Sequence, residues 1–118
     1  MSEHPNVRLD ELLTYVRTGR ILDAMTEFYA DNVVMEEPAT GPVAGLLANT
    51  QREKGFMESV KEMRNFQVPH MAIGPNTGIY ECIMDWTGTD GKEHHIEEVA
   101  VQTWKNSKIV HERFYYNA

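Results

Sequence analysis

Leu9, Leu12, Leu13 and Val16 recur at three- and four-residue steps, the spacing that lines one face of a helix, and Gly19 ends or bends that helix. A second apolar stripe, Ile21, Leu22, Met25, Phe28 and Tyr29, predicts another helix. It stops at Asp31-Asn32, where the β-branched pair Val33-Val34 opens a short strand ending on Glu36, Glu37 and Pro38. Prolines and glycines between 38 and 48 predict a loop. Thr50, with Glu53 three residues later, reads as a capping box for a third helix that carries Phe56, Met57, Val60 and Met63 and ends near Asn65. From there the period changes to two. Strands are predicted at about 66–73, 78–87, 93–104 and 108–116, separated by the turn signals Pro75-Asn76, Asp90-Gly91 and Asn106-Ser107. Helices followed by sequential hairpins predict an α+β domain in which three N-terminal helices cover one face of a curved antiparallel sheet.

Alternation within the last two strands assigns faces. Ile96, Glu98, Ala100, Gln102 and Trp104 share one side, and Glu97, Val99, Val101 and Thr103 share the other. The last strand divides into Val110, Glu112, Phe114 and Tyr116 against Ile109, His111, Arg113 and Tyr115. Both faces carry apolar side chains, so one is expected under the helices and the outer one against a second subunit, making a homodimer. A three-residue loop in the last hairpin sets residue 100 opposite 112, placing Glu98 and Glu112 diagonally, where they would share a proton. A two-residue turn at Asn106-Ser107 reverses the parity and turns His111 and Arg113 inward.

A chain of 118 residues makes one domain, spanning 1–118, with a single core. At 42% hydrophobic and 25% charged residues it is an ordinary globular sequence. Its formal charge of -7 argues against nucleic acid and anionic membranes as partners. Cys82 stands alone, so no internal disulfide forms, and the first residues lack the basic and apolar regions of a secretion signal, so the cytoplasm is the expected location. His94 and His95 are strand neighbours pointing to opposite faces and cannot easily share a metal ion. With no Gly-rich phosphate loop, zinc-spaced set or Ser/His/Asp motif in the sequence, neither metal nor cofactor is expected. Tyr80, Met84, Trp86, Phe114 and Tyr116 alternate along their strands either as plain core or as the lining of a pocket for a flat apolar ligand.

Phe28-Tyr29-Ala30-Asp31 running into Val34-Met35-Glu36-Glu37-Pro38, Gly45 before the third helix, and Trp104 through Val110 into Phe114-Tyr115-Tyr116-Asn117 resemble the nuclear transport factor 2-like superfamily of cone-shaped α+β domains. Within it the chain is similar to SnoaL-like domains, relatives of polyketide cyclases and ketosteroid isomerases. The resemblance implies a curved sheet whose concave face the helices cover. It sets Glu37 at the isomerases' general-base position, Ala100 where they carry a protonated acid, and Tyr116 at a cavity-lining aromatic, which favours the register with Glu112 inward. Ketosteroid isomerases pair such a base with an oxyanion hole. The candidate site is accordingly Glu37 and Glu98 as catalytic carboxylates, with Tyr15, Trp86, Gln102, Glu112, Phe114 and Tyr116 contacting ligand; Gln102 or Tyr15 would steady an oxyanion. The expected activity is cofactor-free isomerisation or cyclisation of a small hydrophobic, carbonyl-bearing molecule. The alternative is a noncatalytic ligand-binding or dimeric interaction module.

Overall fold

The computed structural model describes residues 3–117. The chain runs α1 (Leu9–Arg17), α2 (Ile21–Phe28), β1 (Tyr29–Glu37), β2 (Gly41–Ala44), α3 (Leu46–Ser59), β3 (Val60–Gln67), β4 (Met71–Gly74), β5 (Thr77–Gly88), β6 (Glu93–Lys105) and β7 (Lys108–Tyr115). The strands form one seven-stranded sheet in the order β2-β1-β7-β6-β5-β3, with β4 on the same edge of β5 as β3. The architecture is α+β with a curved, unclosed sheet. One part of the expectation is corrected: the sheet is mixed, because β1 pairs with β7 in parallel. A parallel pair needs a long connection, and here the connection is nearly the whole domain.

The apolar stripes of α1 and α2 do what their spacing predicts. Leu9, Leu12, Leu13, Ala24, Met25 and Phe28 are buried against Tyr29, Val33, Met35, Tyr80, Ala100 and Trp104 of the sheet. Each large aliphatic or phenyl side chain so covered stabilises the fold by roughly 1.5 to 3 kcal/mol. On the opposite sheet face, Ile79, Ile83, Val99 and Val101 lie outside this core and are half-buried. Among the described residues no helix is long and apolar enough to cross a membrane.

Five features differ from the sequence reading. The α2 stripe passes directly into β1 at Tyr29, and Asp31-Asn32 form an exposed irregularity inside the strand, not a break before it. The Pro/Gly-rich stretch contains β2, which pairs back onto β1 through Glu37↔Gly41. The third helix begins at Leu46, preceded by Gly45 at φ +96, so Thr50 is not its cap. Buried Asn49 fastens this start by donating from Nδ2 to the carbonyls of Val43 (3.0 Å) and Gly45 (2.8 Å). The helix ends at Ser59, six residues before Asn65, because residues 60–67 are taken up as a strand by β5. Tertiary pairing overrides the helical period there. The strand expected at 66–73 is two strands, β3 and β4, interrupted at Val68-Pro69-His70, where proline has no N–H for a ladder.

The last hairpin resolves the parity question through neither simple alternative. Asn106 (φ 51) and Ser107 (φ 63) make a two-residue turn with both residues left-handed, as a type I′ hairpin requires. A bulge then follows: Trp104 pairs with Ile109 and Thr103 with His111, leaving Val110 as the extra residue. The bulge restores the parity that the short turn reverses, so Glu112 faces inward. It stands opposite Gln102, and Ala100 stands opposite Phe114, so Glu98 and Glu112 are separated by a full rung and are not diagonal neighbours.

Gly78 lies opposite Gln102, and a methyl group there would come within 2.8 Å of Gln102 Oε1 and 3.1 Å of Trp104 Nε1. Gly78→Ala is therefore expected to destabilise the fold by about 1 to 3 kcal/mol, read as a lower urea midpoint at unchanged slope.

Candidate functional site

Between the helices and the inward sheet face lies a cavity of about 820 Å³. Its apolar wall comes from Leu12 and Val16 of α1, Phe56 of α3, and Tyr80, Met84 and Trp86 of β5. Trp86 is held on two sides, by Phe56 edge-on at 5.3 Å and by His94 stacked at 5.1 Å. Four of its half-buried lining residues are charged: Glu37, Arg52, Glu53 and Glu98.

These four are unequally satisfied. Glu37 sits at the end of β1, where its Oε2 lies 3.1 Å from Arg52 Nη1 and its Oε1 accepts a hydrogen bond from the Tyr116 hydroxyl at 3.1 Å. Arg52 also faces Glu53, at 3.4 Å, and Met35 Sδ, at 3.7 Å. Burial raises the Glu53 carboxyl above its ordinary range, and Arg52 draws it part of the way back. One guanidinium thus serves two carboxylates. Glu98, on β6 opposite Cys82, has no hydrogen-bond or ion-pair partner among the described residues. Burial, then the charges of Glu112, Glu37 and Glu53, push its pKa up to about 8, with Arg52 opposing weakly.

Beside Glu98, one rung along β5, stands Tyr80. It is only 8% exposed, lines the cavity, and its hydroxyl has no hydrogen-bond partner among the described residues. Burial, followed by the neighbouring carboxylates, holds that hydroxyl well above the usual phenol range, so it stays a proton donor. Cys82 is a poor nucleophile, since burial and then Glu98 push its thiol up to about 12.

Behind the cavity wall runs a second, closed polar chain. Trp104 Nε1 donates to Gln102 Oε1 (2.9 Å), Gln102 Nε2 donates to Glu112 Oε2 (2.6 Å), and the Tyr29 hydroxyl donates to Glu112 Oε1 (2.7 Å). Gln102 and Glu112 are completely buried. Burial raises the Glu112 pKa to about 7 even though the Gln102 and Tyr29 hydrogen bonds work the other way. Tyr29 alone of these four reaches the cavity.

The profile of the SnoaL-like domain family matches residues 3–116. The chain belongs to this family. Solved structures of the same shape include a candidate SnoaL-like polyketide cyclase from Mesorhizobium loti, 23% identical over 91% of this chain and 94% of the other, with a TM-score of 0.81. A candidate isomerase from Bacillus subtilis is 20% identical over 99% of this chain and 90% of the other, TM-score 0.79. A nuclear transport factor 2-like protein of unknown function from Burkholderia xenovorans is 20% identical over 92% of this chain and 79% of the other, TM-score 0.74. No curated protein matches the chain in sequence.

In this SnoaL-like domain, Glu37, Glu98, Trp86, Phe114 and Tyr116 line this cavity, whereas Tyr15, Gln102 and Glu112 do not. Tyr15 packs edge-on against Phe28 at 5.0 Å with the Arg20 guanidinium over its ring. Gln102 is completely buried and, like Tyr15, is absent from the cavity lining, so neither residue presents a donor to a ligand oxygen there. Among the described residues no group of His, Cys, Asp and Glu could hold a metal ion. Sequence reasoning passes over Arg52, and it names Tyr80 as core or pocket lining but not as a donor. Glu53 has the capping-box spacing from Thr50, which hides its place in the cavity. No local pattern marks Arg52 as the counter-ion of a carboxylate fifteen residues earlier.

Proposed function

We propose that this SnoaL-like domain takes a small, flat, carbonyl-bearing molecule into its cavity and moves a proton between that molecule's carbons, with Glu98 as the acid and base. The supporting observation is a carboxyl group without a partner among the described residues, facing a largely apolar hollow with a pKa near 8. At neutral pH roughly a tenth of it is ionised, enough for a base while leaving the conjugate acid strong enough to return the proton. The Glu98 carboxylate removes a hydron from the carbon next to the carbonyl. The electron pair moves onto the carbonyl oxygen, which receives a hydrogen bond from the Tyr80 hydroxyl; protonated Glu98 then returns the hydron to the same carbon, which is exchange, or, in a ligand with a β,γ double bond, to the γ-carbon as the pair returns from oxygen and the double bond moves into conjugation. Glu37, whose two oxygens engage Arg52 and Tyr116, orders the cavity end in this reading and is not itself the base. The names of the structural relatives, a candidate cyclase and a candidate isomerase, accord with carbonyl chemistry. Self-association through the sheet face bearing Ile79, Ile83, Val99 and Val101 belongs to the same proposal.

The experiment is deuterium uptake at the α-carbon of 1-tetralone, a flat apolar ketone, followed by NMR in heavy water. The wild-type protein is expected to accelerate exchange, increasingly as pH rises toward 8, and Glu98→Gln to lower the catalysed rate by about 10²- to 10⁴-fold. Exchange undiminished in Glu98→Gln removes the base assignment. Saturable tetralone binding with no acceleration at all favours a noncatalytic binding protein, the reading that Ala100 supports by standing where the isomerases carry an acid.

A further inference from the structure

The cavity wall is electrically polarised from floor to rim. Inside, half-buried Glu37 and Glu53 outnumber Arg52, which is committed to both of them. The rim is formed by the lining residues that are exposed, among them Arg17, Met57, Met63 and Arg64. Arg64 is paired with Glu93 at 2.6 Å. Arg17, the last residue of α1, has no hydrogen-bond or ion-pair partner among the described residues and is the one cation of the cavity wall so placed. Two exposed methionines, Met57 at 37% and Met63 at 41%, add apolar surface to this rim beside Thr40 and the paired Arg64. Such a mouth passes an apolar body and retains a negative charge, while the interior carboxylates repel that charge. The formal charge of -7 on the chain does not cancel this local pull, since charges farther than about 8 Å are screened at physiological salt.

We infer that the substrate is an amphipathic carboxylic acid that enters apolar, carbonyl-bearing end first and leaves its carboxylate at the rim on Arg17. The inference rests on the proposed cavity function and adds to it the class and direction of the ligand. Arg17 is then a specificity-determining residue, separate from the residues that move the proton. A cation in the last turn also suits the helix dipole, but that role would affect folding without affecting the choice between an acid and its ester.

The test uses a matched pair of probes, 4-(2-naphthyl)-4-oxobutanoate and its methyl ester, titrated calorimetrically at low salt. The wild-type protein is expected to bind the acid about fivefold more tightly than the ester, with the preference shrinking as salt is added. Arg17→Gln should abolish the preference while leaving ester affinity unchanged. Arg20→Gln, the same charge change at an arginine outside the cavity wall, should retain it. Equal or tighter binding of the ester by wild type, or an undiminished preference in Arg17→Gln, overturns the inference and leaves the cavity function standing. Failure of both probes to bind overturns the two together.

Discussion

Glu112→Ala will cost the fold about 3 to 5 kcal/mol, the largest single effect expected among the polar residues of this chain. The side chain is fully buried and holds two donors, the Tyr29 hydroxyl at 2.7 Å and the Gln102 amide at 2.6 Å. Truncation leaves both donors without an acceptor in a dry interior, each at about 1 to 3 kcal/mol, and opens a void beside them. Gln102 is then free to turn, which loosens the bond that orients the Trp104 indole. The disturbance therefore extends from the cavity wall at Tyr29 to the far end of β6. Tyr29→Phe alone should cost less, about 1 to 2 kcal/mol, because the acid keeps its Gln102 contact. The two substitutions should not add, since the second removes a donor that the first has already stranded. Urea unfolding of the two single variants and the double variant measures this; a loss below 1 kcal/mol for Glu112→Ala would show that the buried chain is not the constraint described.

Stability will also decline as pH rises from 5 to 8.5. Glu112 and Glu98 have folded-state pKa values of about 7 and about 8 against an ordinary 4.5, so in this interval the native state holds protons that the unfolded chain has released. Carboxyls raised in this way stabilise the fold fully below pH 4.5, and the contribution is lost as pH climbs through 7 and 8. Glu53, raised by burial, acts in the same sense. Asp85 and Glu27, lowered by Asn65 and Arg8 respectively, act oppositely, and their contribution is lost only as the solution becomes strongly acidic. Two raised and buried carboxyls together amount to a few kcal/mol, on the order of a third of a typical domain's stability. Melting temperatures at pH 5, 6, 7 and 8.5 should fall steadily, and Glu98→Gln should flatten the upper part of the curve and melt higher than wild type at pH 8.5. A wild-type curve that instead rises toward pH 8.5 would mean that these acids are solvated. Gain of stability with loss of proton transfer is the expected signature of a carboxyl kept in an unfavourable place for its chemistry.

The sequence by itself determined what depends on local period. The stripe at Leu9, Leu12 and Leu13 marks a helix face because helical side chains return every 3.6 residues. Alternation along residues 93–104 puts Glu98, Ala100, Gln102 and Trp104 on one side because successive strand residues point oppositely. The order of elements and the sharing of faces along β6 followed from those two rules, whereas the identity of the fold and the choice of inward face came from the resemblance to SnoaL-like domains. The tertiary structure alone decided whatever depends on a distant neighbour. It placed β1 parallel to β7, ended α3 at Ser59 by claiming the next residues for the sheet, and inserted Val110 as a bulge that turns Glu112 inward after a turn too short to do so. It also divided the labour among the acids. Arg52 is fifteen residues from Glu37 in the chain and 3.1 Å from it in space, so Glu37 has a counter-ion while Glu98 has none among the described residues. A pKa records the dielectric and the charges around a group, and those are assembled only when the chain has folded.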